Sequence, residues 1–498
     1  MTYTTQVTIN LQQIPAFVLP ALQVLNEAFF TTVSLVESDE AMYHVSFEER
    51  RSEAVVIVRG KMNEATYTIE KKLPTEFEER VIKYMYLGVY LQLLEQLTGK
   101  RQPWGLLSGM RPTKLVHGLK KRQLSDVEIV QYLKNEYFVS DEKLELLLQV
   151  ANHQLKVIPD LYQIQNEVSI YIGIPFCPTR CAYCTFAAYA YEPFKKWVAP
   201  FLEALYQEIM AIGHYLKANQ IAVSSIYFGG GTATTLSIEQ FDTLAATVFQ
   251  HIPTEKVREV TVEAGRPDTI DDEKLALLHR YNISRISINP QSFNQETLNR
   301  IGRHHTTEDV IDKFYQAKAH GFENVNMDII VGLPGEETEE LDVTLSTLAK
   351  LQPESVTVHM LAFKRKSELS KNRGLYATAS ESELNQMAHA TYQFAQKNDY
   401  LPYYLYRQKN ISANMENIGY SKAGHESIYN ILMMEEAQNV LGLGVGASSK
   451  YLIGTSVHNP KDIKMYIDNL EMYIDKKVST LEESLSLGDT YQAPYEEA

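Results

Sequence analysis

Val168-Ser-Ile-Tyr-Ile-Gly-Ile174, continued by Pro-Phe-Cys177-Pro-Thr-Arg-Cys181-Ala-Tyr-Cys184, is the stretch on which the fold turns. Its first seven residues form a near-continuous apolar, β-branched run, the pattern of a strand buried on both faces of a parallel sheet. Directly after it come all three cysteines of the chain. Thiols on a loop at the carboxyl end of such a strand stand on the rim where α/β sheets gather their binding groups. An odd, clustered trio is no disulfide framework. A structural zinc site would want a fourth ligand, and the nearest histidines, His153 and His214, lack finger-like spacing to the loop. Three thiolates with one ligand missing suit a four-iron, four-sulfur cluster whose last iron is left open to a small molecule.

Outward from that strand, β-branched runs alternate with longer amphipathic stretches. The runs are Val168–Ile174, Ser224–Phe228, Glu259–Glu263, Arg285–Asn289, Asn324–Val331 and Ser355–His359. Between them, Phe201–Leu216, Ile238–Gln250 and Glu308–His320 are long enough for helices. Strand–helix–strand repetition implies an α/β fold with a parallel sheet and right-handed crossovers. Six such units could close most of a barrel or lie open in a doubly wound sheet, and periodicity does not separate the two. This region spans 166–385. The segment 1–165 reads as an N-terminal α+β extension. There Tyr3–Asn10, Glu53–Arg59 and Thr66–Glu70 alternate like strands, while Glu76–Leu97 and Lys143–Val157 repeat apolar residues at helical spacing. Trp104–Lys114 between them carries two glycines and Pro112, a turn ahead of another helix. The remainder, 386–498, reads as a mostly helical C-terminal domain containing the Gly-rich run Leu441–Ser448.

The 498 residues, 45% hydrophobic and 22% charged, can build about three domains with cores of their own. A net charge of −15 opposes a phosphate backbone, so nucleic acid is not an expected partner. No membrane span is expected either: the most apolar early stretch, Ile14–Val36, is broken by Pro20, Asn26 and Glu27 and has no basic leader. The expected location is cytoplasmic.

CxxxCxxC with Tyr183 before the last cysteine resembles the cluster loop of radical S-adenosylmethionine (SAM) enzymes. Five motifs then follow in order: YIGIPFCPTRCAYCTF (171–186), IYFGGGTATTL (226–236), VTVEAGRPDT (260–269), ISINPQSFNQETLNRIGRHH (286–305) and NVNMDIIVGLPGE (324–336). Together they resemble the oxygen-independent coproporphyrinogen III oxidase (dehydrogenase) family over roughly residues 168–365, with a weaker likeness through SKAGHESIYN and LGLGVGAS. The long extension carrying GMRPTK (109–114) looks like that family's HemZ-type branch. The resemblance implies a partial (β/α)6 radical SAM barrel, with a 4Fe-4S cluster and SAM as cofactors. It implies that Cys177, Cys181 and Cys184 hold the cluster and that Tyr171 and Tyr183 pack beside it. Gly230, Gly231 and Thr232 would meet the methionine amino group. Glu263, Gln291 and Asp328 would meet the ribose hydroxyls and amino group, Arg303 the carboxylate, and the backbone of Ala362 the adenine. Three positions depart from the family pattern: Gly173 where a histidine is usual, Ala233 in GGGTAT, and Gly265-Arg266-Pro267, one residue longer than the usual Asn-Pro. Tyr429-Asn430-Ile431-Leu432 stands in place of the His-Asn and Tyr-Trp pattern of the related haem chaperones.

The implied reaction is anaerobic: a 5′-deoxyadenosyl radical takes hydrogen from a propionate β-carbon of coproporphyrinogen III. Loss of carbon dioxide and one electron then gives a vinyl group, and two such conversions give protoporphyrinogen IX. The implied partners are the tetrapyrrole and a low-potential electron donor such as flavodoxin or ferredoxin. Haem binding or trafficking without turnover, and radical chemistry on another substrate, are the alternatives. An acidic protein that takes a polyanion needs local cations; Arg111, Lys114, Lys364, Arg365 and Lys366 are the candidates.

Overall fold

The computed structural model describes residues 7–30, 33–36, 40–51, 55–72, 79–107, 109, 111–363, 367–371, 376, 379–408 and 415–487. Its contacts divide the chain into two compact units, Met1–Pro112 with Leu119–Leu148, and Thr113–Gly118 with Gln149–Ala498. In the first, strands Val7–Gln12, Val33–Leu35, Tyr43–Arg51, Val55–Met62 and Ala65–Lys72 form one sheet. Helix Glu79–Thr98 buries Met85, Val89, Leu93 and Leu94 against it. Gly60 lets that helix approach, since a Cβ there would lie 2.5 Å from Val89 Cγ1. Strand Tyr43–Arg51 escapes a reading by periodicity because charged residues crowd its outer half, yet Val45 and Phe47 point into the core.

The second unit is built on strand–helix alternation. Its strands are β1 (Val168–Ile174), β2 (Val223–Gly230), β3 (Glu259–Glu263), β4 (Arg285–Ser287), β5 (Val325–Val331) and β6 (Ser355–Met360). All six run parallel in that order. Helices α1 (Val198–Ala218), α2 (Ile238–His251), α3 (Asp272–Arg280), α4 (Thr307–Ala319) and α5 (Thr338–Leu351) make the crossovers. Local chemistry sets their starts: Ser237 and Thr306 begin α2 and α4 as capping boxes, and the Asp271 side chain accepts from Lys274 N at 2.7 Å ahead of α3. This is the partial (β/α)6 barrel.

Residues 386–498 do more than add helices. After α6 (Glu381–Lys397), β7 (Leu401–Tyr406) and β8 (Asn417–Ser421) extend the sheet antiparallel beyond β6. Then come α7 (Ile428–Glu435), β9 (Asn439–Gly444), β10 (Ser448–Lys450), β11 (Ser456–His458), α8 (Ile463–Asp468) and α9 (Leu470–Leu487). β9 lies parallel beside β1, so the expected segments 166–385 and 386–498 share one eleven-stranded sheet. The Gly-rich run therefore folds as a strand and its turn. A Cβ at Gly442 would lie 2.6 Å from the Ser448 backbone and one at Gly444, where φ is +91°, 2.3 Å from Gly173 O. Bare backbone is what lets β9 sit between β1 and β10.

One buried ion pair fixes this seam. Glu208 of α1 and Lys477 of α9 are both fully buried and bonded to each other. Glu208 also accepts from Gly444 N at 2.7 Å, Tyr466 OH at 2.7 Å and Asn459 Nδ2 at 3.1 Å. Removing one member leaves the other charge buried and alone, which costs roughly 3–5 kcal/mol. Glu208→Ala is accordingly expected to lower the unfolding free energy from denaturant titration by that amount with cysteine-loop residues untouched; a loss below about 1 kcal/mol would contradict the assignment.

Candidate active site

Past β1 the chain makes a short parallel ribbon, Phe176–Cys177 with Tyr189–Ala190, and the cysteine loop hangs between its strands. Backbone bonds pin the loop: Ala182 N to Ile301 O at 3.0 Å, Leu369 N to Ala182 O at 3.1 Å, and Cys184 N to Cys181 O at 3.1 Å. Arg266 holds its base, donating to Thr179 O at 3.2 Å and Thr179 Oγ1 at 3.1 Å, with Nη1 3.9 Å from Cys181 Sγ and an ion pair to Asp268. Cys177 Sγ lies 3.6 Å from Thr232 Oγ1, and burial pushes its thiol up to about 12.

Below the loop the barrel mouth opens into a cavity of about 400 Å³. Cys177, Cys181, Cys184, Tyr171, Tyr183, Gly230, Gly231, Thr232, Glu263, Gln291, Arg303, Asp328 and Ala362 all line it. The sequence drew them from six strands and their loops, and the fold brings them to one place. Lys114 is not among the lining residues and is bonded to Glu436 instead, while Arg111 belongs to the first unit. Lys364, Arg365 and Lys366 lie outside the described residues.

The glycines at 230 and 231 serve the protein's own packing first. Gly230 has φ +111°, and a Cβ at Gly231 would lie 2.3 Å from Phe176 O. Their turn is tied beneath the cysteine ribbon by Gly231 N to Ile174 O at 2.7 Å and Thr232 N to Phe176 O at 2.8 Å. Gln291 also sits at positive φ, +66°, and bridges to β5 through Gln291 N to Asp328 O and Ile330 N to Gln291 O, both 2.9 Å. Arg303 spends Nη2 on two backbone carbonyls, Asn289 O at 2.6 Å and Gly265 O at 2.8 Å, and Nη1 reaches Tyr183 OH at 3.3 Å.

The two cavity carboxylates lean opposite ways. Burial pushes Glu263 up to about 7, and its Oε1 accepts from Tyr227 OH at 2.6 Å. Burial would raise Asp328 too, but hydrogen bonds from His359, Asn326 (2.7 Å) and Thr357 hold it below the usual carboxylate range. The sequence reading missed several of the groups that matter here. Tyr227 and Tyr429 stack at 4.5 Å between centroids, with Tyr171 stacked at 6.0 Å from Tyr227 and 6.3 Å from Tyr429. A tyrosine inside an apolar strand looks like ordinary filling, so Tyr227 gave no signal. Arg285 and His359 did give one, each being a polar residue in a run otherwise fit for burial. At Gly173 a Cβ would be in ordinary contact, 3.4 Å, with Ala447 Cβ and the Tyr171 ring.

These residues fit a cluster and a polar nucleoside-like ligand. Three buried polar atoms on cavity residues lack partners: Arg285 Nε, Gln291 Oε1 and Arg303 Nε. Such atoms are unfavourable until something bonds them. Among the described residues no three His, Cys, Asp or Glu side chains converge as ligands of a single ion do. All three thiols line the one cavity, and in a cube each would take a different iron.

Residues 171–348 match the family model of the Radical SAM superfamily. Over 401 residues the chain is 50% identical to the oxygen-independent coproporphyrinogen-III oxidase-like protein HemZ of Bacillus subtilis, covering 79% of this chain and 80% of that one. The chain belongs to the coproporphyrinogen oxidase-like radical SAM family. A 4Fe-4S cluster and SAM are this family's cofactors. The heme chaperone HemW of B. subtilis is 32% identical over 312 residues, 60% of this chain and 75% of the chaperone. Coproporphyrinogen III oxidase from Escherichia coli shares the fold, with a TM-score of 0.51 at 23% identity, covering 65% of this chain and 72% of that one. Among the described residues no helix is long and apolar enough to cross a membrane.

Glu263 yields a test of the site's electrostatics. Its folded pKa, about 7, stands above the ordinary carboxyl value of 4.5, so the folded state prefers the proton. That preference contributes fully below about pH 4.5 and is lost as pH rises through 7. Glu263→Gln should therefore raise the ligand-free Tm at pH 8 and leave it little changed at pH 4.5. A uniform shift at both pH values would refute the raised carboxyl.

Proposed function

We propose that the chain catalyses the anaerobic oxidative decarboxylation of coproporphyrinogen III to protoporphyrinogen IX. One observation carries this reading: a 50% identical relative named as oxygen-independent coproporphyrinogen-III oxidase-like, covered over 80% of its length, joined to a barrel cavity in which the cysteine loop faces buried polar groups. When bound, the cluster and SAM supply a deoxyadenosyl radical able to abstract hydrogen from carbon.

The protein's part is binding and shielding. Cys177, Cys181 and Cys184, released from their protons, would hold the cluster, and Arg266 beside Cys181 offsets part of the thiolate charge. The unpartnered Arg303 Nε and Gln291 Oε1 would bind the amino-acid end of SAM, Asp328 and Glu263 its hydroxyl and ammonium groups, and the Ala362 backbone its base. The Tyr171–Tyr227–Tyr429 stack would form a dry floor that keeps water from a reactive centre. Two propionates per substrate would become vinyl groups, each giving a hydrogen atom to the deoxyadenosyl radical and losing carbon dioxide and one electron, which passes to an electron acceptor. The electrons that prime the cluster would come from a low-potential donor such as a flavodoxin or ferredoxin.

Anaerobic reconstitution with iron and sulfide, then SAM, dithionite and coproporphyrinogen III, tests the reading. Deoxyadenosine together with vinyl product is expected, and Cys177→Ala should abolish both. Deoxyadenosine without vinyl product would redirect the enzyme to another substrate. Stoichiometric haem binding without any cleavage would favour the trafficking role borne by its chaperone relatives.

A further inference from the structure

Arg285 opens β4 and stands in register with Thr261 of β3, which stands with Tyr227 of β2, which stands with Tyr171 of β1. That row is two residues below the Glu263–Ser287 pair, hence roughly 7 Å farther from the cysteine rim. Arg285 is 1% exposed and lines the cavity. Nη2 donates to Ser355 Oγ at 3.2 Å, and Nε has no partner.

The acids around it are engaged elsewhere. Glu259 accepts from Thr261 Oγ1, Ser427 Oγ and the N–H groups of Ile428 and Tyr429, at 2.8–3.3 Å, where it caps α7. Glu263 takes Tyr227 OH, and Asp328 takes Asn326 and His359. Of the other cavity arginines, Arg266 is committed to Asp268 and Thr179, Arg303 gives Nη2 to two carbonyls and keeps an unpartnered Nε, and Arg180 is exposed on the cysteine loop. A guanidinium does not shed its proton in a protein, so Arg285 keeps a full buried charge whose one described hydrogen bond is to a neutral hydroxyl. Glu259 and Glu263 attract that charge through space but make no described hydrogen bond to it, so a carboxylate that bonds the guanidinium directly would add what they do not supply.

We infer that Arg285 is the anchor for an ionised carboxylate on whatever ligand reaches deepest into the barrel. The inference rests on the function proposed above for the choice of ligand. Of the two carboxylates that chemistry offers, a tetrapyrrole propionate suits the depth of Arg285 better than the carboxylate of SAM, which is expected near the rim with the cluster. Held there, one propionate would fix the macrocycle so that another stands nearer the rim, making Arg285 a specificity-determining residue.

The test uses reconstituted, oxygen-protected Arg285→Gln and Arg285→Lys proteins, with coproporphyrin III, its tetramethyl ester and SAM as probes. Arg285→Gln is expected to weaken coproporphyrin III by about 10- to 100-fold, to leave the ester and SAM within about twofold, and to be partly rescued in Arg285→Lys. Because the guanidinium makes one described hydrogen bond, to a neutral hydroxyl, the ligand-free Tm of Arg285→Gln should change little. A purely structural arginine would instead lower it in both variants, and that result with uniform loss of all ligands overturns the inference. Weakened SAM with unchanged porphyrin would assign the carboxylate to the cofactor. If the parent protein binds no porphyrin, the substrate reading fails by itself, and the SAM measurement still decides Arg285: an unchanged affinity in Arg285→Gln overturns the anchor.

Discussion

Close backbone contact at the carboxyl ends of β1 and β2 is the constraint from which the site follows. Gly173 pairs with Gly229, Gly444 presses against Gly173 from the other side, and Gly231 passes under Phe176. No side chain larger than hydrogen fits at Gly231 or Gly444 without moving backbone. Because these crossings are bare, the ribbon that carries Cys177 lies directly over the glycine turn, and Thr232 meets the first thiol. The rings of Tyr171 and Tyr227, in register on the same two strands, then stack below. Cluster loop, glycine turn and aromatic floor are thus consequences of one strand pair.

The cavity is expensive to maintain. A barrel interior filled with branched apolar side chains would be more stable than one holding Arg285, Glu263 and Asp328 with unsatisfied atoms among them. Its two carboxylates are pushed apart by their partners: Asp328 is surrounded by donors, whereas Glu263 has Tyr227 and a dry setting. At neutral pH one acid is therefore firmly ionised and the other shares its proton. Such divergence at close quarters belongs to sites that bind and transform ligands, where fold stability is given up for affinity.

Much of this was legible in the sequence because parallel strands leave a strong period. Val168–Ile174 and Glu259–Glu263 coincide with β1 and β3 as read. Cysteine spacing and ordered motifs then named residues that the fold gathers around one cavity. What stayed hidden was tertiary. The run Leu441–Ser448 stood out only as Gly-rich within a mostly helical domain, because glycine weakens strand signals, and its packing between β1 and β10 explains why glycine is required. The aromatic floor was hidden because Tyr227 and Tyr429 are far apart in sequence, and nothing local says that they stack. The basic candidate Lys114 failed for a similar reason: a carboxylate partner, Glu436, lies more than three hundred residues away.

The position of β9 has a bearing on biogenesis. On the ribosome, β1 through β6 can emerge and zip together while the open flank of β1 has no neighbour, for its partner is made only when synthesis has passed residue 444. Until Lys477 follows, the Glu208 carboxylate inside α1 also lacks its cation. The nascent barrel therefore keeps an unprotected edge until residues 439–444 and Lys477 have been made.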